Sequence, residues 1–510
     1  MAPFIVDRPS LDRLPYEICL EIFKYIHGNT RRQHHILADI ASSHRALSDP
    51  ALDVLWHTMG DLVPLLVLIP GVQIDRHPNE PFTTYRIVGP IEPAAWQRFD
   101  TYAKRVRVLE YERPSTLFFA LFAELEQYRL GPLLPNLHQL IWDEELPPPV
   151  TELGQILLSF PTPTLRDVTV SARYIGDDEG DIPRVPEMAA LAQAGFLPRL
   201  ASNAPMVRRL TLSGSRWNPV GDDTFRAISS LTALSNLSIN LNGVSVDSLS
   251  GWRGFLFLRS FTMDLTSIRI ATAAMLTVSS VHLNNIWVND PPPATVEDSR
   301  HFFASLRTFK DALATLSVRF DALTAPNIQR STFAEIIKPL LEFHRMSLLQ
   351  IVSRQWSDAI LVTDKCLDDM AVAWPRTSLL VIRFSSPLLG LTVRGLITLA
   401  QKCPSLYTLR LDRIDFREDV GMVPLLKGDL RSLSFCPWIL EVNGDAPVAE
   451  YFKIAQIIDR LYPNLRTFFD IPNVIVRFIL GLQAARKDER MRMEVDMEDG
   501  SGDGESVSEG

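Results

Sequence analysis

Residues 14–26 read Leu-Pro-Tyr-Glu-Ile-Cys-Leu-Glu-Ile-Phe-Lys-Tyr-Ile. Ile18, Ile22 and Ile26 recur at every fourth position with Phe23 beside them, the spacing of an apolar stripe on a helix. Pro15 suits the first turn, where its missing N–H is not needed. Glu17 and Lys24 complement the two ends of the helix dipole, and Gly28 is placed to cap the C-terminus. A second helix is predicted from Arg32 to Leu47, with Ile36, Leu37, Ile40 and Ala41 on one side. Ser48-Asp49-Pro50 is expected to break it, Pro50 starting a third helix. There Leu52, Leu55, Trp56 and Met59 follow helical spacing, and Gly60 ends the pattern.

Residues 75–100 are rich in proline and aromatics and predict a connector with one short strand at Thr84–Val88. A different pattern follows, apolar-x-x-apolar-x-apolar. It opens at Val106-x-x-Leu109-x-Tyr111 and recurs from Leu137, Leu165, Val207, Leu234, Leu258, Val278, Leu313, Leu379, Leu406 and Leu430. Leu348-x-x-Ile351 and Leu465-x-x-Phe468 are partial copies. The x-apolar-x-apolar part suits a short strand with alternate side chains turned inward. Helical patterns lie between copies, at 222–231, 331–343, 392–402 and 448–461. One strand–helix unit cannot bury its apolar face alone, so the units are expected to stack and share a core.

A proline stands two residues before the first apolar position in five of the thirteen copies. Chance predicts about one, which makes the pattern more than an effect of composition. Successive starts lie 20 to 42 residues apart, so the array is irregular. The longest interval carries Asp177-Asp178-Glu179-Gly180-Asp181, expected as an exposed loop.

Charge narrows the candidate partners. The chain of 510 residues has a formal net charge of -9, against general nucleic-acid binding. Part of that charge is local, with seven acidic residues and no Lys or Arg from Glu494 to Gly510. From Arg486 on, the polar, Gly/Ser-rich composition predicts disorder. The four cysteines, Cys19, Cys366, Cys403 and Cys436, form no CxxC pair and suit a reducing compartment. The longest apolar run, near Leu62–Val72, is broken by proline and glycine and is too short for a membrane span. A cytoplasmic or nuclear location is expected.

Catalytic signals are sparse. There is no phosphate-binding glycine loop, GxSxG, HExxH or kinase motif set. His34-His35 is expected at the surface, Asp143-Glu144-Glu145 at a strand end, and Asp222-Asp223 at a helix N-terminus. The later cysteines read as core thiols. No cofactor, metal site or enzymatic activity is expected.

Three short helices in roughly 50 residues make a thin core that leaves apolar surface for a partner. Leu14-Pro15-x-Glu17-Ile18-x-x-x-Ile22-Phe23-x-x-Ile26, then Ile36-Leu37 and Ile40-Ala41-Ser42-Ser43, then Leu52-Asp53-x-Leu55-Trp56, resembles the F-box over residues 11–62. The resemblance implies a box that binds a Skp-type adaptor, which bridges to a cullin–RING ligase. Carried over, the contact residues are Leu14, Pro15, Ile18, Ile22 and Phe23. Leu37, Ile40, Leu52, Leu55 and Trp56 would mostly build the box core, some of them also reaching the adaptor. The chain departs from the family at Ser42-Ser43-His44-Arg45-Ala46 and in a longer link at Asn29–Arg32. The later pattern resembles degenerate leucine-rich arrays that follow many F-boxes, without the fixed Asn of regular repeats.

The expected class is therefore α/β: a three-helix F-box at 1–70, a connector at 71–100, a curved irregular leucine-rich solenoid with parallel sheet and outer helices at 101–480, and a disordered acidic tail at 481–510. The implied function is substrate reception in an SCF-type ubiquitin ligase, with an unknown protein target and neither nucleic acid nor membrane as partner. A leucine-rich scaffold outside any ligase is the alternative.

Overall fold

The computed structural model describes residues 14–26, 31–76, 83–89, most of 91–144, 157–172, 195–213, 220–324, 331–355, 360–384, 390–417, most of 421–435, and 448–499. The Asp177–Asp181 run, Gly28, Cys436 and residues 500–510 lie outside them. The chain is α/β and divides into two units: the first holds residues 1–258 and 277–280, the second 259–276 and 281–510.

The first unit opens with helices α1 (Tyr16–Ile26), α2 (Arg31–Ser43) and α3 (Arg45–Leu55). The predicted break at Ser48-Asp49-Pro50 is corrected: α2 ends at Ser43 and Pro50 lies inside α3. His44 makes the break. Its backbone is extended, and its Nδ1 accepts a hydrogen bond from the Ala46 N–H at 3.3 Å, capping α3. Pro50 lacks only the N–H that would have bonded the Ala46 carbonyl, and burial of Pro50, Ala51 and Val54 offsets that loss.

After α3 come β1 (Thr58–Met59), α4 (Val63–Leu66), β2 (Val72–Arg76), β3 (Thr83–Ile87) and α5 (Trp96–Ala103). The segment read as a connector thus holds an antiparallel pair, β2 with β3, and a helix. The expected strand is present, one residue earlier. Next are β4 (Val108–Glu112), β5 (Thr116–Leu117), β6 (Gln139–Glu144), β7 (Asp167–Ala172), β8 (Arg209–Ser213) and β9 (Asn236–Ile239). Strands β1, β4, β6, β7, β8 and β9 lie side by side in that order, every pair parallel. In-register residues Leu109, Leu140, Val168 and Leu210 face the core with no exposure.

The second unit carries β10 (Ser260–Asp264), β11 (Asn285–Asn289), the short β12 (Ala294–Thr295), β13 (Thr315–Phe320), β14 (Leu323–Thr324), β15 (Ser331–Thr332), β16 (Leu348–Ser353), β17 (Ile360–Leu361), β18 (Leu379–Arg383), β19 (Thr408–Leu411), β20 (Ser432–Ser434) and β21 (Thr467–Phe469). Its main strands, β10-β11-β13-β16-β18-β19-β20-β21, are again parallel neighbours. Helices Val393–Lys402 and Val448–Leu461 fall where the pattern predicts them.

Three copies of the apolar pattern are corrected in register. The copy at Val278 is a chance match, since Val281 is 76% exposed; the strand there is carried by Leu283, Ile286 and Val288. The copy at Leu348 begins two residues earlier, with buried Met346 ahead of Leu349 and Ile351. The copy at Leu379 begins at Thr377, whose hydroxyl donates to the Trp374 carbonyl at 2.9 Å and so is buried at little cost.

The expected disordered tail from 481 is also corrected. A helix runs Asn473–Asp499, because Ala484 to Met493 are strong helix formers without glycine or proline. Ile475 and Ile479 anchor its start in the core, and Arg486 pairs with buried Asp459 on the preceding helix. Among the described residues no helix is long and apolar enough to cross a membrane.

Candidate functional site

Helix α1 starts at Pro15, whose carbonyl accepts from the N–H groups of Ile18 and Cys19 at 3.1 and 3.2 Å. The helix carries two apolar stripes about 100° apart. One is Cys19, Phe23 and Ile26. Cys19 and Phe23 join Leu37, Ala51 and Val54 as the buried core of the three helices, with Leu20, Ile26, Ile40, Ala41, Leu47 and Leu55 packed around it. The other stripe is Ile18, Ile22 and Tyr25, with Leu14 just ahead of the helix. A three-helix core can be reached from only one side of α1, so the second stripe stays in solvent. Ile18 is 49% exposed, Ile22 47% and Tyr25 90%. Ile36 on α2 adds a further exposed aliphatic side chain.

Of the residues expected at an adaptor contact, Leu14, Pro15, Ile18 and Ile22 are exposed. Phe23 is corrected: it is 6% exposed and belongs to the core. Leu37 has no exposure, and Ile40, Leu52, Leu55 and Trp56 are half-buried. Trp56 turns toward α5, its ring 4.8 Å from that of Tyr102. Its indole Nε1 is buried without a hydrogen-bond partner. Tyr25 was missed, although it lies three residues after Ile22 and seven after Ile18, on the same helix side.

A polar clamp ties this bundle to the first strands. Arg105, between α5 and β4, bonds Asp49 of α3 at 2.6 Å and also pairs with Asp53, which accepts from the Tyr16 hydroxyl of α1. Burial, then the Asp53 hydrogen bond and charge, push the Tyr16 phenol up to about 12. The Arg105 guanidinium loses hydration on burial, but Asp49 and Asp53 together still raise its pKa. These groups line a cleft of about 900 Å³ with Lys24, His57, Lys104, Arg107 and His138. Sequence patterning gave no sign of this clamp, because its partners are 52 and 56 residues from Arg105.

Elsewhere, residues that alternate with the inward strand positions are largely paired. Asp264 accepts from Asn289 at 2.9 Å, Arg383 lies 3.3 Å from Asp470, and the Arg410 guanidinium sits 4.7 Å over the Phe469 ring. Cys366 and Cys403 are free, buried thiols, which burial pushes up to about 12 and about 11, far from the thiolate form a nucleophile needs. His34 and His35 are exposed on α2, and the described residues hold no His/Cys/Asp/Glu group suited to a metal. A scan against protein-family models and a search of curated proteins each return no match.

Proposed function

We propose that this chain is a receptor subunit of an SCF-type ubiquitin ligase, in which α1 to α3 act as an F-box and the stacked strands as an irregular leucine-rich solenoid that holds a target protein. The single observation behind the reading is the second apolar stripe of α1, which the described helices leave uncovered. Covering an Ile or Leu side chain contributes roughly 1.5–3 kcal/mol, so Leu14, Ile18 and Ile22 together suit a stable subunit contact. The Arg105 clamp gives such a contact a fixed handle on the sheet. The contribution to ubiquitin transfer would be proximity, holding target lysines near a charged conjugating enzyme.

The test is co-purification with a Skp-type adaptor. Ile18→Asp and Ile22→Asp should lower adaptor recovery at least about tenfold with the melting temperature unchanged, because both residues are already in water. Full recovery by both variants would remove the assignment. A second reading, a scaffold outside any ligase, is favoured by the polar end of α2. There the Ser42 and Ser43 hydroxyls both turn back onto helix carbonyls, at 2.9 Å each, and offer no apolar contact.

A further inference from the structure

In the parallel sheet the residue just before a strand donates to the residue just before its neighbour, a second ladder alongside the strands. The His138 N–H donates to the Arg107 carbonyl at 2.7 Å, Arg166 to His138 at 2.8 Å, and Arg208 to Arg166 at 2.6 Å. Four basic side chains therefore occupy four adjacent rungs, about 4.8 Å apart. Arg107 and His138 are half-buried at the cleft beside the clamp; Arg166 and Arg208 are exposed. Arg107 donates to the Asn136 carbonyl. Among the described residues no carboxylate pairs with Arg166 or Arg208. The nearest in sequence, Asp167, is held by both Arg209 donors at 2.9 and 2.8 Å.

Like charges stacked on adjacent rungs repel one another unless an anion lies across them. His138 is lowered in pKa chiefly by burial and further by the charges of Arg107 and Arg166 on either side. The fold does not require cations here. Ser235 fills the position before β9, and in the second unit Asn284, Ala314, Ser347 and Ser378 fill it before β11, β13, β16 and β18.

We infer that the row Arg107–His138–Arg166–Arg208 binds an extended acidic segment of a partner protein. The four rungs span about 14 Å, the length of four or five extended residues. Only a narrow ligand fits, since Asp167 borders the row on the strand side and Glu110 and Asp143 lie further along the strands. A nucleic acid would set its phosphates against those carboxylates. In the receptor reading this row would recognise the target. The inference rests on that reading only for its biological role, and its test uses no adaptor, so either can fail alone.

The test is fluorescence anisotropy of labelled hexaglutamate with the full chain, at low and raised ionic strength. Saturable, salt-sensitive binding is expected, weakened about tenfold by Arg166→Glu/Arg208→Glu and clearly weakened by Arg166→Gln/Arg208→Gln, which removes charge without reversing it. The pair Arg431→Glu/Arg466→Glu, before β20 and β21, should bind as the parent does. The His138 ring protons should titrate at higher pH with peptide bound, because the anion offsets its neighbours. Parental affinity in both Arg166/Arg208 variants would overturn the assignment. So would loss only in the Arg431/Arg466 variant, or preference for labelled oligouridylate over hexaglutamate.

Discussion

The three N-terminal helices and the parallel strands bury apolar residues in opposite ways. Along β4, β6, β7 and β8 each inward residue is covered by the in-register apolar residue of the neighbouring strands, so Leu140, Val168 and Leu210 are fully buried by repetition alone. The helical bundle has no such repetition. It closes on five residues, Cys19, Phe23, Leu37, Ala51 and Val54, and leaves Leu14, Ile18, Ile22 and Tyr25 in water. A stacked array can satisfy its own apolar pattern, whereas a short bundle with two stripes on one helix buries only one of them.

Removing Phe23 tests that contrast most strongly. Phe23→Ala should cost about 3–5 kcal/mol, since the small core has little else to refill the space. Amide exchange in α1–α3 should accelerate while protection in β6 to β9 stays at its parental level. Equal loss of protection in both regions would show one cooperative core and erase the distinction. A smaller change should come from Arg105→Gln, which leaves Asp49 and Asp53 without their cation. A loss of about 1–3 kcal/mol is expected, with faster exchange in α3 and at the start of β4. Exchange confined to α3 would mean that the clamp does not hold the strand.

How much of this was legible in the sequence follows the same division. The strands were readable wherever Leu or Val occupied every inward position, as at Leu165, Val207 and Leu406. Register slipped at Thr377, because a polar residue satisfied by a nearby carbonyl looks exposed in a pattern of letters, and at Met346, because Leu348 two residues on offers a competing apolar start. The stripe of α1 was readable as apolar. Which half of it faced inward was not: Ile22 and Phe23 are adjacent and similar in hydrophobicity, and only the position of α2 and α3 decides between them. The α2–α3 break was misplaced because proline is a strong signal and a histidine cap a weak one. The clamp and the basic row were invisible, since both join residues brought together only by strand stacking.

A helix cap in the second unit supplies the smallest effect and sharpens the contrast from the sheet side. In the second unit Thr295 caps the helix Val296–Ser305: its hydroxyl accepts from the Asp298 N–H at 3.1 Å, and the Asp298 carboxylate accepts from the Thr295 N–H and hydroxyl and from Arg269. Burial alone would raise the Asp298 pKa, but these donors outweigh it and hold the carboxyl below its ordinary value. A depressed carboxylate pKa contributes stability above its unfolded value, and that stability is lost as pH falls through the folded value. Asp298→Ala should therefore cost about 1 kcal/mol at neutral pH, by denaturant titration. The gap to the parent should close as the pH drops below the ordinary aspartate range. The cost stays small because buried Val296, Ser299, Phe302 and Phe303 hold this helix on the stacked strands whether or not it is capped. A loss several times larger, or one independent of pH, would mean that this helix depends on its cap as the N-terminal bundle depends on Phe23.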